Sequence, residues 1–166
     1  GALSSFYESG KLKVVGLFEK GVQNGVFKAF FENGALMEEG HYLNDKKDGV
    51  WNGFYPNGSL YSKGEFKNGM FSGQWQVYHP NGCLKQLGDY CSGSACGQWF
   101  YYSKDGHLLL SGCYINDKQN GIWTTFYPNG NVAGKVLFIN GKASAVKWVY
   151  EISGQLAKRF ELSSGH

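Results

Sequence analysis

The sequence has 166 residues, of which 42% are hydrophobic and 17% charged, a balance typical of one ordered soluble domain and unlike that of a disordered tail. No apolar run approaches the roughly 20 residues that a membrane-spanning helix needs. The net charge of +3, spread over 16 basic and 13 acidic residues without a basic stripe, gives no reason to expect a nucleic-acid partner. The 25 Gly, with 5 Trp, 11 Tyr, 12 Phe and only 3 Pro, favour tight turns joined by short, aromatic-rich strands.

A single spacing organises the chain. The turn glycine of the segment FYPNGSLYSKGEF, residues 54–66, returns every 24 residues without an insertion. These glycines are Gly10, Gly34, Gly58, Gly82, Gly106, Gly130 and Gly154. A fixed period of this length marks a repeat architecture. The sequence therefore predicts a single repeat domain over residues 1–166.

Each turn glycine lies at the centre of a predicted hairpin. Four residues before it stands an aromatic residue, as Phe6, Phe30, Phe54, Tyr78, Tyr102, Phe126 and Tyr150. Two residues after it stands an aliphatic one, as Leu12, Leu36, Leu60, Leu84, Leu108, Val132 and Leu156. We expect a type I turn followed by a glycine with positive φ, which makes a three-residue hairpin loop. Phe54 would then lie opposite Leu60, and Phe126 opposite Val132.

Two further glycine columns accompany the rings. A second glycine follows the first by six residues, as Gly16, Gly40, Gly64, Gly88 and Gly112. A bulky apolar residue follows by eight, as Phe18, Tyr42, Phe66, Tyr90, Tyr114, Phe138 and Leu162. A third glycine precedes an aromatic residue by two positions, and these aromatics are Phe27, Trp51, Trp75, Trp99 and Trp123. We expect the rings to lie over bare glycine backbone, so the tryptophans are assigned to packing, with a ligand-stacking ladder as the alternative.

Successive hairpins are expected to be joined by a second loop, around residues 67–73 or 116–121, that is longer, polar and more varied. The predicted fold is all-β: an elongated, solenoid-like, single-sheet antiparallel meander of about seven 24-residue hairpins. A ribbon one layer thick has no opposite layer, so its stability is expected to come from stacked aromatic rings. At the carboxyl end Val136 and Ala145 replace glycines and the Trp moves to Trp148, which we interpret as a degenerate cap.

The sequence contains little that is typical of a catalytic site. The four histidines, His41, His79, His107 and His166, have no paired spacing and fall at unrelated repeat positions, so they are interpreted as surface or edge residues. No phosphate-binding glycine loop precedes a helix, because the glycines serve turns. We expect no enzyme activity, no catalytic residue, no metal site and no cofactor, with a zinc hydrolase as the remote alternative.

The four cysteines, Cys83, Cys91, Cys96 and Cys113, fall within a short part of the chain. Cys91 and Cys96 bracket the loop SGSA and could form a disulfide that stiffens the hairpin connection. A zinc site and free thiols that pack as small apolar residues remain alternatives. A disulfide would predict an oxidising compartment, either the periplasm or the cell exterior, and reduced cysteines would predict the cytoplasm.

Candidate binding residues are the apolar and aromatic side chains outside the repeat columns, because the stack does not need them. These residues are Tyr61, Met70, Phe71, Phe100 and Tyr101. Interfaces favour Tyr, Phe and Met anchors. The alternative is that these side chains complete the second face of the sheet.

The unit GVWNGFYPNGSLYSKGEFKNGMFSG, from Gly49 to Gly73, resembles the variant MORN repeat of bacterial proteins often described as antitoxin-like. The resemblance covers nearly the whole chain, although the cysteines and the aliphatic sixth unit, VAGKVLF, depart from the usual pattern. It implies a protein-binding module, some relatives being antidotes or immunity proteins for toxins, and others being linked to membranes and scaffolding.

The leading hypothesis is therefore a non-catalytic bacterial binding protein that occludes a cognate toxin or secreted effector. A rigid surface suits occlusion because it loses little conformational entropy on docking. The alternative is a scaffold or membrane-surface module that contacts lipid headgroups, which the dispersed charge disfavours.

Overall fold

The computed structural model describes residues 1–161, except for the side chains of residues 145, 146 and 161. Leu162 and His166 lie outside the described residues. The chain divides into two compact units, Gly1–Cys83 and Leu84–His166, which are called the first and second units and described separately. That residues 1–166 form one domain stays a prediction.

Among the described residues, both units consist of antiparallel β-strands joined by turns, and the strands pair in chain order. The first unit contains β1 (Ala2–Phe6), β2 (Leu12–Glu19), β3 (Val22–Phe30), β4 (Leu36–Leu43), β5 (Lys46–Phe54), β6 (Leu60–Lys67) and β7 (Met70–Tyr78). The second contains β8 (Leu84–Cys91), β9 (Ser94–Tyr102), β10 (Leu108–Ile115), β11 (Lys118–Phe126), β12 (Val132–Ile139), β13 (Lys142–Tyr150) and β14 (Leu156–Glu161). The predicted fold class, an all-β hairpin meander with a 24-residue period, is confirmed. None of the described residues lies in a helix long and apolar enough to span a bilayer.

The first turn of each repeat has the predicted geometry. Between β5 and β6 the Gly58 amide donates to the Tyr55 carbonyl at 2.8 Å, and Gly58 has a φ of 84°. The loop therefore has three residues, and Phe54 lies opposite Leu60 in the register. One residue beyond, Tyr61 is a bulge, because Gly53 pairs with Ser62.

The second connection differs from the prediction of a longer polar loop, which is wrong. β6 ends at Lys67 and β7 begins at Met70, so only Asn68 and Gly69 join them, with φ values of 53° and 80°. Positive φ at both positions is the geometry of a type I′ turn, whose twist matches that of the flanking strands. Asn44–Asp45 and Asn116–Asp117 form equivalent turns.

The third glycine column lies within strands instead of loops. Lys63 pairs with Gln76 and Glu65 with Ser72, so Gly64 alone opposes residues 73–75. Gly73, with a φ of 63°, permits this bulge. The extra residues bring the Trp75 ring over Gly64.

The rings lie directly on glycine backbone, as predicted. In the first unit a Cβ added to Gly40 or Gly64 would stand 2.2 Å from the indole of Trp51 or Trp75. In the second unit a Cβ added to Gly112 would stand equally close, 2.2 Å, to the indole of Trp123. The bulge leaves a carbonyl beside each ring, and the Trp75 Nε1 donates to the Glu65 carbonyl at 3.1 Å.

Hydrogen bonds between consecutive repeats reinforce the stack. The hydroxyl of Tyr55 donates to the carbonyl of Tyr78 at 2.8 Å, and that of Tyr127 to the carbonyl of Tyr150 at 2.9 Å. Each of these bonds spans 23 residues. A side chain of one hairpin thus satisfies the backbone of the next.

Candidate functional site

Each unit has two faces with different chemistry, because side chains alternate across a strand. The ring face carries the tryptophans and the aromatic residues packed against them. In the second unit these include Trp99, Tyr101, Tyr114, Trp123 and Phe138. The other side is called the reverse face. Residues that pair in the register share a face, so the strand pairing assigns each side chain to the ring face or to the reverse face.

The ring face offers stacking instead of acid–base chemistry. Tyr101 lies beside Trp99 and Trp123, and its hydroxyl lies 3.3 Å from that of Tyr114. Burial, followed by this hydrogen bond, raises the pKa of Tyr101 well above its usual value, so the hydroxyl stays protonated. Among residues 1–161 no three His, Cys, Asp or Glu side chains come together to hold a metal ion.

Three of the five candidate binding residues lie in the first unit, and they do not form one site. Tyr61 is exposed at its bulge, with its ring centroid 5.2 Å from that of Tyr55. Met70 and Phe71 lie at the opposite end of β6 and β7. Phe71 belongs to the ring stack, 4.7 Å from the Trp75 ring centroid, so its selection as a residue outside the stack was wrong.

The other two candidates lie in the second unit on opposite faces. Phe100 is half-buried on the reverse face, where it pairs with Leu87 and Ser111. Tyr101 is part of the ring face, so it too was wrongly placed outside the stack. Whether any of the five binds a partner stays a prediction.

The cysteines separate into a disulfide and two free thiols. Cys91 and Cys96 form a disulfide across the β8–β9 hairpin, with Cα atoms 5.8 Å apart. Cys83 and Cys113 are free and half-buried, and the Cys113 thiol donates to Gln98 Oε1 at 3.0 Å. The disulfide therefore staples a hairpin whose strands are already paired.

A group of exposed apolar side chains lies on the reverse face of the second unit, and we call it the isoleucine patch. It contains four aliphatic side chains and two lysines: Ile115, Lys118, Ile122, Leu137, Ile139 and Lys142. The register pairs Ile115 with Lys118, Ile122 with Leu137 and Ile139 with Lys142. The Gly141 amide, in the β12–β13 turn, donates to the Gln119 carbonyl of β11 at 2.8 Å and links that turn to the preceding hairpin.

Each of the three isoleucines of the patch exposes more than half of its surface. Ile115, Ile122 and Ile139 expose 55%, 51% and 57% of their surface. Lys118 and Lys142 are also exposed, so the patch combines an apolar centre with cationic groups. Exposed apolar side chains grouped on one face with polar residues around them are typical of a protein-binding site.

One carboxylate stands close to the patch but is engaged elsewhere. Asp117, in the β10–β11 turn, accepts a hydrogen bond from the Ala95 amide at 2.6 Å. This bond, and a second one from Ser94, lower the pKa of Asp117. Its charge is thus directed to the preceding hairpin.

Repeat symmetry shows that the fold does not require apolar residues at two places of the patch. Counting back 72 residues, the position of Leu137 is Glu65 and that of Ile139 is Lys67. The first unit forms the same hairpins with a carboxylate and an ammonium at those places. Leu137 and Ile139 are therefore not dictated by the hairpin fold, whereas Ile115 and Ile122 stand where the first unit also has exposed apolar residues, Leu43 and Val50.

The sequence alone revealed the aliphatic sixth unit, VAGKVLF, but the residues of the patch were not predicted as a binding site. The signal was available: the sequence contains four isoleucines, Ile115, Ile122, Ile139 and Ile152, and all lie in the second unit. The register was needed to place three of them on one surface.

Three features define a β-hairpin repeat protein: the pairing of consecutive strands, the packing of aromatic rings on glycine backbone, and the 24-residue period. The family model described as MORN repeat variant matches residues 1–20, 23–44, 47–68, 71–92 and 119–140, more than half of the chain. The chain therefore belongs to the MORN repeat variant family. Repeats of this family generally bind proteins or lipids and are generally non-catalytic. A search of curated proteins gave no match.

Proposed function

We propose that this chain is a protein-binding module whose isoleucine patch docks on an apolar, acid-rimmed surface of one partner protein. The observation that carries the proposal is the half-exposure of Ile115, Ile122 and Ile139 on one face, with Leu137 and Ile139 at places where the first unit carries charged residues. Burying such side chains on docking removes apolar area from water, at roughly 25 cal/mol per Å². Lys118 and Lys142 select carboxylates at the rim of the partner.

The further proposal is that the partner is a bacterial toxin or secreted effector and that the chain acts as its antitoxin or immunity protein. The support is the resemblance of the Gly49–Gly73 unit to antitoxin-like variant repeats. A second support is the preformed sheet, which orders few groups when it docks and so suits tight occlusion. The disulfide between Cys91 and Cys96 supports a periplasmic or secreted location, because disulfides persist in oxidising compartments.

A protein partner is favoured over a lipid surface. Electrostatic lipid recognition typically uses clusters of about four to eight basic residues. The patch has two, Lys118 and Lys142, beside branched aliphatic chains that shape a specific contact. Flotation with liposomes rich in anionic lipid is expected to leave the chain in the soluble fraction, and co-flotation would overturn this preference.

The test uses the chain together with the product of any toxin gene found next to its own. Gel filtration with light scattering is expected to show a stoichiometric complex, and co-expression is expected to relieve toxin-induced growth arrest. Ile122→Asp is expected to weaken the affinity at least about 30-fold by calorimetry, because a central apolar contact becomes a buried charge beside an acidic partner.

Val50→Asp is the matched control. Val50 occupies the same repeat position in the first unit, 72 residues earlier, and is 48% exposed against 51% for Ile122. Its replacement is expected to leave the affinity unchanged. Equal loss in both variants, or no loss in Ile122→Asp, would show that the patch is not the docking surface, and absence of a complex would refute the toxin partner.

A further inference from the structure

The ring face of the second unit carries an alternating series of rings that stops at Phe138. Trp99 contacts Tyr114 at 5.6 Å between centroids, Tyr114 contacts Trp123 at 5.0 Å, and Trp123 contacts Phe138 at 6.3 Å. Tyr114 is thus held between two tryptophans. The residue that follows Phe138 in this series is Lys147, 24 residues after Trp123.

A hollow of about 430 Å³ lies where the next ring would come. Trp123 and Phe138 line it on the side where the series ends, and Val136, Lys147 and Val149 belong to its remaining lining. This volume is within the range of small-molecule sites, which run from about 300 to 1,000 Å³. The hollow is therefore large enough for a small ligand.

The chain cannot fill this hollow by continuing its own pattern. A Trp in the column packs on glycine so closely that a Cβ on Gly112 would stand 2.2 Å from Trp123. Position 136 is Val, so a ring at position 147 could not lie on the backbone in that way. A ring brought from outside can instead lie above the Val136 methyl groups and meet the edge of Phe138, as Trp123 meets Tyr114.

The positive charge of Lys147 beside the hollow indicates which polar group a ligand would carry. Lys147 is exposed and lines the hollow, whereas the Lys135 ammonium lies 5.6 Å from the Tyr150 ring centroid and is engaged there. Gln119 adds an amide to the lining. None of the described lining residues is Asp or Glu. A carboxylate attached to an aromatic ring would gain a charge-assisted hydrogen bond from Lys147 while the ring fills the apolar part.

We propose that this hollow is a binding site for a small planar aromatic carboxylate, whose ring continues the Trp123–Phe138 series and whose carboxylate pairs with Lys147. The site lies on the ring face, opposite the isoleucine patch. It is independent of the proposed protein partner, and the two proposals fail separately.

The test measures binding of indole-3-acetate to the full chain by calorimetry and by ligand-observed NMR. Saturable binding is expected. Indole-3-acetamide, which has the ring without the charge, and cyclohexylacetate, which has the charge without the ring, are each expected to bind at least about tenfold more weakly. No saturable binding of indole-3-acetate, or equal affinities for the three probes, would overturn the proposal.

Two variants locate the site. Lys147→Met is expected to lower the affinity for indole-3-acetate about tenfold and to leave that for indole-3-acetamide unchanged, while Lys85→Met, an exposed lysine remote in the register, is expected to change neither. The double change Val136→Gly with Lys147→Trp restores the glycine and tryptophan of the column, so it is expected to fill the hollow and abolish binding. Retained binding in a folded double variant, checked by its far-UV circular dichroism, would refute the site.

Discussion

Gly64→Ala tests whether the close packing of the Trp75 ring requires a residue without a side chain beneath it. The new Cβ would stand 2.2 Å from the Trp75 ring, so the indole must retreat by roughly 1.2 Å to reach ordinary contact. Overpacking costs about 1–3 kcal/mol, and loss of the indole hydrogen bond to the Glu65 carbonyl costs about 1 kcal/mol. Alanine also lowers the conformational entropy of the unfolded chain, which offsets about 0.4–1 kcal/mol of this loss of stability. We therefore expect the free energy of unfolding to fall by about 1–3.5 kcal/mol.

The assay is urea unfolding followed by tryptophan fluorescence, and Gly16→Ala is the matched control. Gly16 belongs to the same column, but a Cβ there meets the flexible end of Gln23 at 3.0 Å and the ring of Phe27 at 3.6 Å. Its replacement is expected to change the unfolding free energy by less than about 0.5 kcal/mol. Trp75→Phe in the Gly64→Ala background should recover part of the loss. A Gly64→Ala variant as stable as Gly16→Ala would refute the reasoning.

Three further predictions concern the hairpin connections. Replacing Cys91 and Cys96 together by Ser is expected to lower the unfolding free energy by about 2 kcal/mol, because the six-residue loop then gains its full unfolded entropy; an unchanged urea midpoint would contradict this. Asp117 has a lowered pKa through its bond to the Ala95 amide, so its contribution is present above the unfolded value of about 3.9 and is lost as pH falls through the lower folded pKa. Asp117→Asn is expected to flatten the loss of stability between pH 4 and pH 2, and an unaltered pH profile would count against that bond. Tyr55→Phe is expected to cost about 1 kcal/mol by removing the hydroxyl that bonds to the next repeat, measured by thermal unfolding, and no loss would mean that water replaces the bond at no cost.

Much of the fold followed from the sequence because the turn chemistry repeats. The Asn57–Gly58 pair fixed a three-residue loop and hence the pairing of Phe54 with Leu60. The second connection was misread because Gly73 was taken for a loop residue. Its positive φ instead creates a bulge inside β7, and sequence pattern alone does not separate a turn glycine from a bulge glycine.

The candidate site was less predictable than the fold. Single exposed aromatic residues were selected, yet Phe71 and Tyr101 proved to be parts of the ring stack. The isoleucine patch depends on the register across four strands, because Ile115 on β10 and Ile139 on β12 are assigned to the same face only through the strand pairing. Such surfaces become visible only after the faces have been assigned.

The most direct test of docking through the isoleucine patch uses the four isoleucine δ1-methyl groups as probes. Ile115, Ile122 and Ile139 belong to the patch, whereas Ile152, 61% exposed, lies in the turn after β13 and serves as an internal reference. Methyl NMR of the chain titrated with its partner is expected to shift or broaden the three patch signals and leave that of Ile152 unchanged. A complex in which the three patch signals stay unperturbed would contradict the account.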